Sequence, residues 1–275
     1  MFLKIYIFVV IVIFSPTNLI SKNNLPKPET WEKEVKQLLY DKRDILMDGS
    51  DIMSLETPYR ALDAATVPVT VKFNENQKDD NFIKSLTLIV DENPSPIVGK
   101  FEFSPKIGNA TLSTRIRVDK YTYVRAIAEK NNGEKFMISN FVKAAGGCSA
   151  PSLSDMDSVM ARLGKMKMKF IETSNNSNIL NKAKFLISHP NFSGLQFNQL
   201  TRAEIPADFI NYLKIEQDGE LILKAFPDIS LSENPTVTFN YINSGGPLKV
   251  QVEDSEGRSF NQEFSSTQIS ASSKN

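Results

Sequence analysis

The stretch VPVTVKF, residues 67–73, decides the fold. Val67, Val69, Val71 and Phe73 fall at every second position, with Pro68, Thr70 and Lys72 between them. A period of two puts one set on a buried face and the other toward solvent, the pattern of a half-buried antiparallel strand. GKFEF (99–103) alternates in the same way. In TLSTRIRV (111–118), Leu112, Thr114, Ile116 and Val118 face one way while Arg115 and Arg117 face the other. YTYVRAIAEKNNGEKFMISNFV (121–142) reads as a hairpin turning at Asn132-Gly133, because Asn and Gly tolerate the positive φ that tight hairpin turns need.

The second half of the chain keeps this style without repeating the sequence. FINYLKIEQDGELILKAF (209–226) turns at Asp218-Gly219, and TVTFNYI (236–242) alternates through Val237, Phe239 and Tyr241. LKVQVEDSEGRSFNQEF (248–264) turns near Glu256-Gly257. Short strands with frequent turn signals argue for a β-sandwich in each half. The predicted class is all-β: two immunoglobulin-like antiparallel β-sandwich domains in tandem, over 28–145 and 165–268, joined by a linker at 146–164. Ahead of the strands, PETWEKEVKQLLYDKRDIL (28–46) predicts a helix with Thr30 as its N-cap. Trp31, Val35, Leu38, Leu39 and Ile45 recur at helical spacing as its buried face. DMDSVMARLG (155–164) predicts a second, short helix closed by Gly164.

The chain has 275 residues and carries 32 Lys plus Arg against 32 Asp plus Glu. With no net basic field, neither nucleic acid nor an anionic lipid surface is an expected partner. At the N-terminus, the apolar run Ile5–Phe14 follows Lys4; it is too short to cross a hydrocarbon core of about 30 Å but fits the h-region of a signal peptide. Residues 1–21 are read as that signal. The mature chain is expected to be exported to the periplasm and soluble, without stable membrane association.

A single cysteine and a single histidine rule out an intramolecular disulfide and make a Cys/His metal cluster untenable. No G-x-S-x-G elbow, G-x-x-x-x-G-K-[ST] loop or G-x-G-x-x-G turn is present, so no catalytic residue, metal or cofactor is expected. His189 forms no recognisable sequence-level dyad with the cysteine; the simpler reading is a polar residue ending a strand before Pro190.

Cys148 lies in NFVKAAGGCSAPSLSD (140–155), flanked by Ala144, Ala145, Gly146, Gly147, Ser149, Ala150 and Pro151. A buried free cysteine acting as a small hydrophobe calls for apolar neighbours at strand or helix period, and these are absent. The composition predicts an exposed thiol on a loop, with Gly146 and Gly147 supplying backbone freedom. Apart from a slight influence of Lys143, nothing adjacent would activate it. A thiol near its ordinary pKa of about 8.5 is only a few per cent thiolate at neutral pH, so it suits a handle activated by a partner.

These residues resemble a known family. Gly146-Gly147-Cys148 after a β-sandwich, preceded by Val142-Lys143-Ala144, is similar to the cysteine arm of SoxY, the sulfur-carrier subunit of thiosulfate oxidation. PYRALDAATVPVTV (58–71) resembles that subunit's early core segment through Pro58, Arg60, Ala61, Asp63, Ala64, Val67 and Pro68. ISHPNFSG (187–194), and IPADFI (205–210) followed by DGELI (218–222), resemble SoxZ. The fused order is similar to SoxYZ-like carriers associated with quinoprotein dehydrogenases. The resemblance implies a non-enzymatic carrier with Cys148 as the covalent attachment site and Gly146 and Gly147 giving the arm its swing. The partners implied are periplasmic sulfur-oxidation enzymes and c-type cytochromes, or a quinoprotein dehydrogenase system; a Cys148-linked homodimer stays open. Two departures stand out. The family arm ends in Gly-Gly-Cys-Gly-Gly near the C-terminus, whereas here Ser149 and Ala150 follow and the chain continues; and Asn191-Phe192-Ser193 replaces the usual Met-Glu-Thr. The rival readings are a non-catalytic assembly module for a periplasmic quinoprotein (alcohol) dehydrogenase system, and a thiol oxidoreductase borrowing a resolving thiol from a partner.

Overall fold

The computed structural model describes residues 25–41, 44–151, 156–172, 176, 178–199 and 201–265. The signal segment 1–21 and residues 152–155 of the predicted linker lie outside them. In the first half, the alternating stretches form β1 (Leu46–Asp48), β2 (Met53–Glu56), β3 (Val67–Phe73), β4 (Ile83–Val90), β5 (Ile97–Phe103), β6 (Leu112–Ile116), β7 (Thr122–Lys130) and β8 (Lys135–Val142). The second half supplies β9 (Met166–Glu172), β10 (Leu180–Ile187), β11 (Gln196–Phe197), β12 (Glu204–Ile205), β13 (Ile210–Gln217), β14 (Glu220–Pro227), β15 (Thr236–Ile242), β16 (Leu248–Asp254) and β17 (Ser259–Phe264).

The alternation fixes which side chains are covered. Val67, Val69, Val71 and Phe73 of β3 are buried, and so are Leu112, Thr114 and Ile116 of β6. Each such aliphatic or aromatic side chain contributes roughly 1.5–3 kcal/mol through removal from water. The three predicted hairpins form where expected. Gly133, Gly219 and Gly257 all have positive φ at the turns, and Asp218 joins Gly219 in that region.

Each half is an immunoglobulin-like sandwich of two sheets, and the sheets continue from one half into the other. One sheet runs β1-β8-β7-β4-β5-β14-β13-β16-β17 and the facing one β2-β3-β6-β15-β10-β9. The seam in the first is the antiparallel pair β5–β14, with Phe101 opposite Ala225 and Phe103 opposite Leu223. In the second it is β6–β15, with Leu112 opposite Phe239. A single apolar core fills the space between the sheets across both halves, including Phe101, Leu112, Phe185, Leu213 and Val237.

The N-terminal helix differs from the expectation. It runs through Trp31–Val35 as a wider π-type turn and Lys36–Leu39 as an α-helix. The Thr30 side chain does not cap it; its hydroxyl donates instead to Glu92. Trp31 and Val35 pack on Ile89 and Ile127, on the outer face of the larger sheet, with Leu39 beside them. Leu38 and Ile45 are 78% and 76% exposed, because so short a helix has only one turn's width to bury and the chain leaves helical geometry at Tyr40. Under Trp31, the buried Arg125 guanidinium lies 4.5 Å from the ring centroid and pairs bidentately with Asp91 at 2.7 Å and 2.7 Å. The second short helix spans Met156–Met160, and Gly164 follows it with φ +74.

Candidate functional site

Beyond β8 the chain stays tied down. Lys143 N–H donates to the Tyr59 carbonyl and its own carbonyl accepts from Ala61 N–H. Gly146 N–H then donates to Asp119 O at 2.8 Å, and Gly147 N–H to Val118 O at 3.0 Å. The Asp63 carboxylate accepts from Ala65 N–H and the Thr66 hydroxyl. That turn presents Ala64 O, which accepts from Val118 N–H. A Cβ on Gly147 would stand 2.1 Å from Ala64 O and 2.7 Å from Val118 O, so only glycine fits there. Gly146 is different: its φ is +79, with open space around the position a Cβ would take.

The second half closes the other side. Ser193 Oγ donates to the Cys148 carbonyl, and Gln196 Nε2 donates to Ala150 O at 2.7 Å. Gln196 Oε1 accepts from Ser193 N–H, which fixes the two donors relative to each other.

The structure therefore corrects the expected exposure of Cys148: the residue is 0% exposed. Its cover comes from residues distant in sequence, so the absence of apolar neighbours along the chain did not leave it open. Gly147 acts as a close-packing position and Gly146 as a left-handed turn, and both amides are held by the segment 118–119 between β6 and β7. Burial, reinforced by the Asp119 carboxylate and opposed by Arg117, pushes the thiol up to about 12, so in this state the sulfur is protonated and unreactive. Lys143 is turned onto the Tyr59 ring, 4.9 Å from its centroid.

Arg117 departs from the expected solvent-facing side of its strand. It is 2% exposed, covered by the turn between β14 and β15. Its Nη1 donates to Ile229 O at 3.1 Å and to Leu231 O, while Nε has no hydrogen-bond partner.

His189 lies two residues beyond β10 and is buried. Its Nδ1 accepts from Asn191 N–H at 3.0 Å, which places the proton on Nε2, 3.4 Å from Asp254 Oδ2 and 3.5 Å from Asp208 Oδ1. Burial holds the imidazole below its ordinary value despite both carboxylates. The donor atoms of His189, Asp208 and Asp254 lie within 4.8 Å of one another, as metal ligands would. Arg258, however, donates to both carboxylates and already supplies positive charge to the cluster. Asn191, with φ +50, donates to Leu231 O at 2.7 Å and accepts from Ile210 N–H. His189 and Asn191 thus shape the turn that carries Ser193 to the cysteine loop, and the hydrogen bonds of the imidazole go to Asn191 and Asp254 rather than to the thiol.

The model described as "Sulfur oxidation protein SoxY" matches residues 36–148, and that described as "Sulphur oxidation protein SoxZ" matches 168–265. The chain is a SoxY–SoxZ fusion. Cys148 is the last residue of the SoxY match, and the turn that clamps it belongs to the SoxZ half. No curated protein matches the fusion. Among solved structures, it is similar to the sulfur carrier protein SoxY from Chlorobium limicola f thiosulfatophilum, at 22% identity, covering 37% of this chain and 81% of that one, with a TM-score of 0.31. A superoxide reductase (neelaredoxin) from Ignicoccus hospitalis matches at 15% identity, 34% and 79% coverage and a TM-score of 0.31. A putative superoxide reductase from Thermotoga maritima matches at 16% identity, 38% and 98% coverage and a TM-score of 0.32.

The three departing residues, Asn191, Phe192 and Ser193, are all buried; Asn191 bonds Leu231 O and Ile210 N–H, and Ser193 bonds the Cys148 carbonyl. That Ser193 reaches the Cys148 loop was not readable from the sequence. Arg117 was visible only as one of two arginines on a strand face.

Proposed function

We propose that this SoxY–SoxZ fusion is a periplasmic carrier that holds a sulfur-containing intermediate covalently on Cys148 and presents it to partner enzymes of sulfur oxidation. The single observation that carries the reading is the convergence on one thiol: the SoxY match ends at Cys148, and the SoxZ half grips that residue's carbonyl through Ser193. Loading joins the Cys148 sulfur to a sulfur anion R–S⁻. The thiol gives up its proton, an S–S bond forms, and two electrons pass to a c-type cytochrome of the partner. The carrier itself performs no turnover.

A thiol pushed up to about 12 cannot be the loading form. The loop must leave its cradle for the sulfur to ionise and enter a partner's site, and the closed state protects it in transit. Exposed Leu62, Tyr121 and Leu195 each lie within two residues of a group that binds the loop or shapes its cradle, and offer apolar contact to a docking enzyme.

Intact-mass analysis of protein purified from its native host, grown on reduced sulfur compounds, tests the proposal. A sulfur-containing mass increment on Cys148, lost in Cys148→Ser together with function, is expected; an unmodified thiol throughout would overturn it. The burial of Cys148 favours one second reading, an assembly module for a quinoprotein dehydrogenase system in which the thiol is incidental. Under that reading Cys148→Ser keeps full function.

A further inference from the structure

Two arginines are buried to nearly the same degree, and their surroundings differ. Arg125, 3% exposed, has a bidentate carboxylate partner in Asp91. Arg117, 2% exposed, has none among the described residues: two backbone carbonyls take Nη1, and Nε is unpartnered. Burying a guanidinium without a counter-anion in direct contact costs several kcal/mol, so an anion brought beside Arg117 would be stabilised there.

The surroundings locate that place. Arg117 N–H donates to Ser230 O, and the next residue, Val118, accepts from Gly147 N–H. Leu231 O, which takes Arg117 Nη1, also takes Asn191 Nδ2; two residues further on, Ser193 holds the Cys148 carbonyl. Segments 117–119, 146–148, 191–193 and 229–231 are thus tied to one another around a buried cation and a buried thiol. The two side chains are electrostatically linked: Arg117 works against the burial that pushes the thiol up, and burial lowers Arg117 itself, with Cys148 and then Glu233 acting the other way.

We infer that Arg117 reads charge on the Cys148 sulfur: its guanidinium, which has no carboxylate in direct contact, holds the loop closed over an adduct that ends in an anion, and less firmly over a neutral one. The ligand class is an anionic sulfur group, a sulfonate or a terminal sulfane sulfur. Arg117 is a specificity residue for the carried species. The inference rests on the carrier reading for the origin of that species.

The test installs two adducts on the full chain, opened in mild denaturant and then returned to buffer. With tetrathionate, the Cys148 sulfur displaces thiosulfate and becomes Cys–S–S–SO₃⁻, its proton passing to solvent. With methyl methanethiosulfonate it displaces methanesulfinate and becomes neutral Cys–S–S–CH₃. Hydrogen exchange of the Gly146 and Gly147 amides then reports loop closure. The anionic adduct is expected to exchange on the order of tenfold more slowly than the neutral one, the scale of a partly screened charge pair. Arg117→Met, or Arg117→Gln, which keeps donors for the 229 and 231 carbonyls, should abolish the difference. Equal exchange of the two adducts in the unsubstituted chain overturns the inference without any variant, and so does a difference that survives in both variants. Because the adducts are placed by reagent, this outcome is independent of whether the host loads Cys148. An unloaded thiol in the host would sink the carrier reading and leave the Arg117 result standing.

Discussion

The two glycines before Cys148 are expected to respond very differently to the same substitution. At Gly147, a methyl group would meet backbone oxygens at 2.1 Å and 2.7 Å, neither of which can rotate away. The loop can accept Gly147→Ala only by leaving its cradle. It then gives up the hydrogen bonds from Gly146 to Asp119, Gly147 to Val118, Ser193 to Cys148 and Gln196 to Ala150. At about 1 kcal/mol net for each, opening becomes easier by about 4 kcal/mol, on the order of a thousandfold. At Gly146 nothing obstructs a methyl group, and Gly146→Ala carries only the left-handed backbone penalty of about 1.5 kcal/mol, on the order of tenfold. Iodoacetamide labelling near neutral pH, followed by intact mass, measures opening directly because the closed thiol is not ionised. Gly147→Ala should label about a hundred times faster than Gly146→Ala. Similar rates for the two would refute the cradle and restore the view that both residues serve only as swivels.

Two further expectations follow from the same geometry. The closed loop favours the protonated thiol, pushed up to about 12, whereas an open one ionises near 8.5. Closure is therefore at full strength below about 8.5 and is lost as pH rises toward the closed value, by about tenfold per unit; labelling should keep climbing past that point, and a plateau there would contradict the burial. In the helix-bearing layer, Asp91→Asn strands the buried Arg125 charge beneath Trp31, at a cost of about 3–5 kcal/mol. A fall in Tm of about 10 °C is expected by thermal denaturation, and one under about 3 °C would mean that the Trp31 ring alone can hold the guanidinium.

Alternation is a local property, and it was enough to place β3, β5, β6, β15 and the three hairpins with their turn residues. Burial of polar and loop residues is not local. Cys148 has small neighbours in sequence and is nonetheless buried, on a loop held by Ala64 and Val118 at Gly147 and by Ser193 and Gln196 at Cys148 and Ala150. Arg117 sits where the strand pattern predicts a solvent-facing side chain, and a turn more than a hundred residues later covers it. The helix failed in the opposite direction: helical spacing promised burial for Leu38 and Ile45, but only Trp31, Val35 and, in part, Leu39 find a sheet to lie on. The family likeness correctly joined SoxY-like to SoxZ-like sequence, while the contact between the cysteine arm and the SoxZ turn depends on folding.

The seam between the halves also bears on how such a chain can be made. β5 and β14 would each be an outermost strand if its half folded by itself, with a full row of N–H and C=O groups unmet. Such a raw edge is a template for pairing with any other chain. Joining the two halves turns that hazard into interior hydrogen bonding, so synthesis of both on one polypeptide protects each from aggregation.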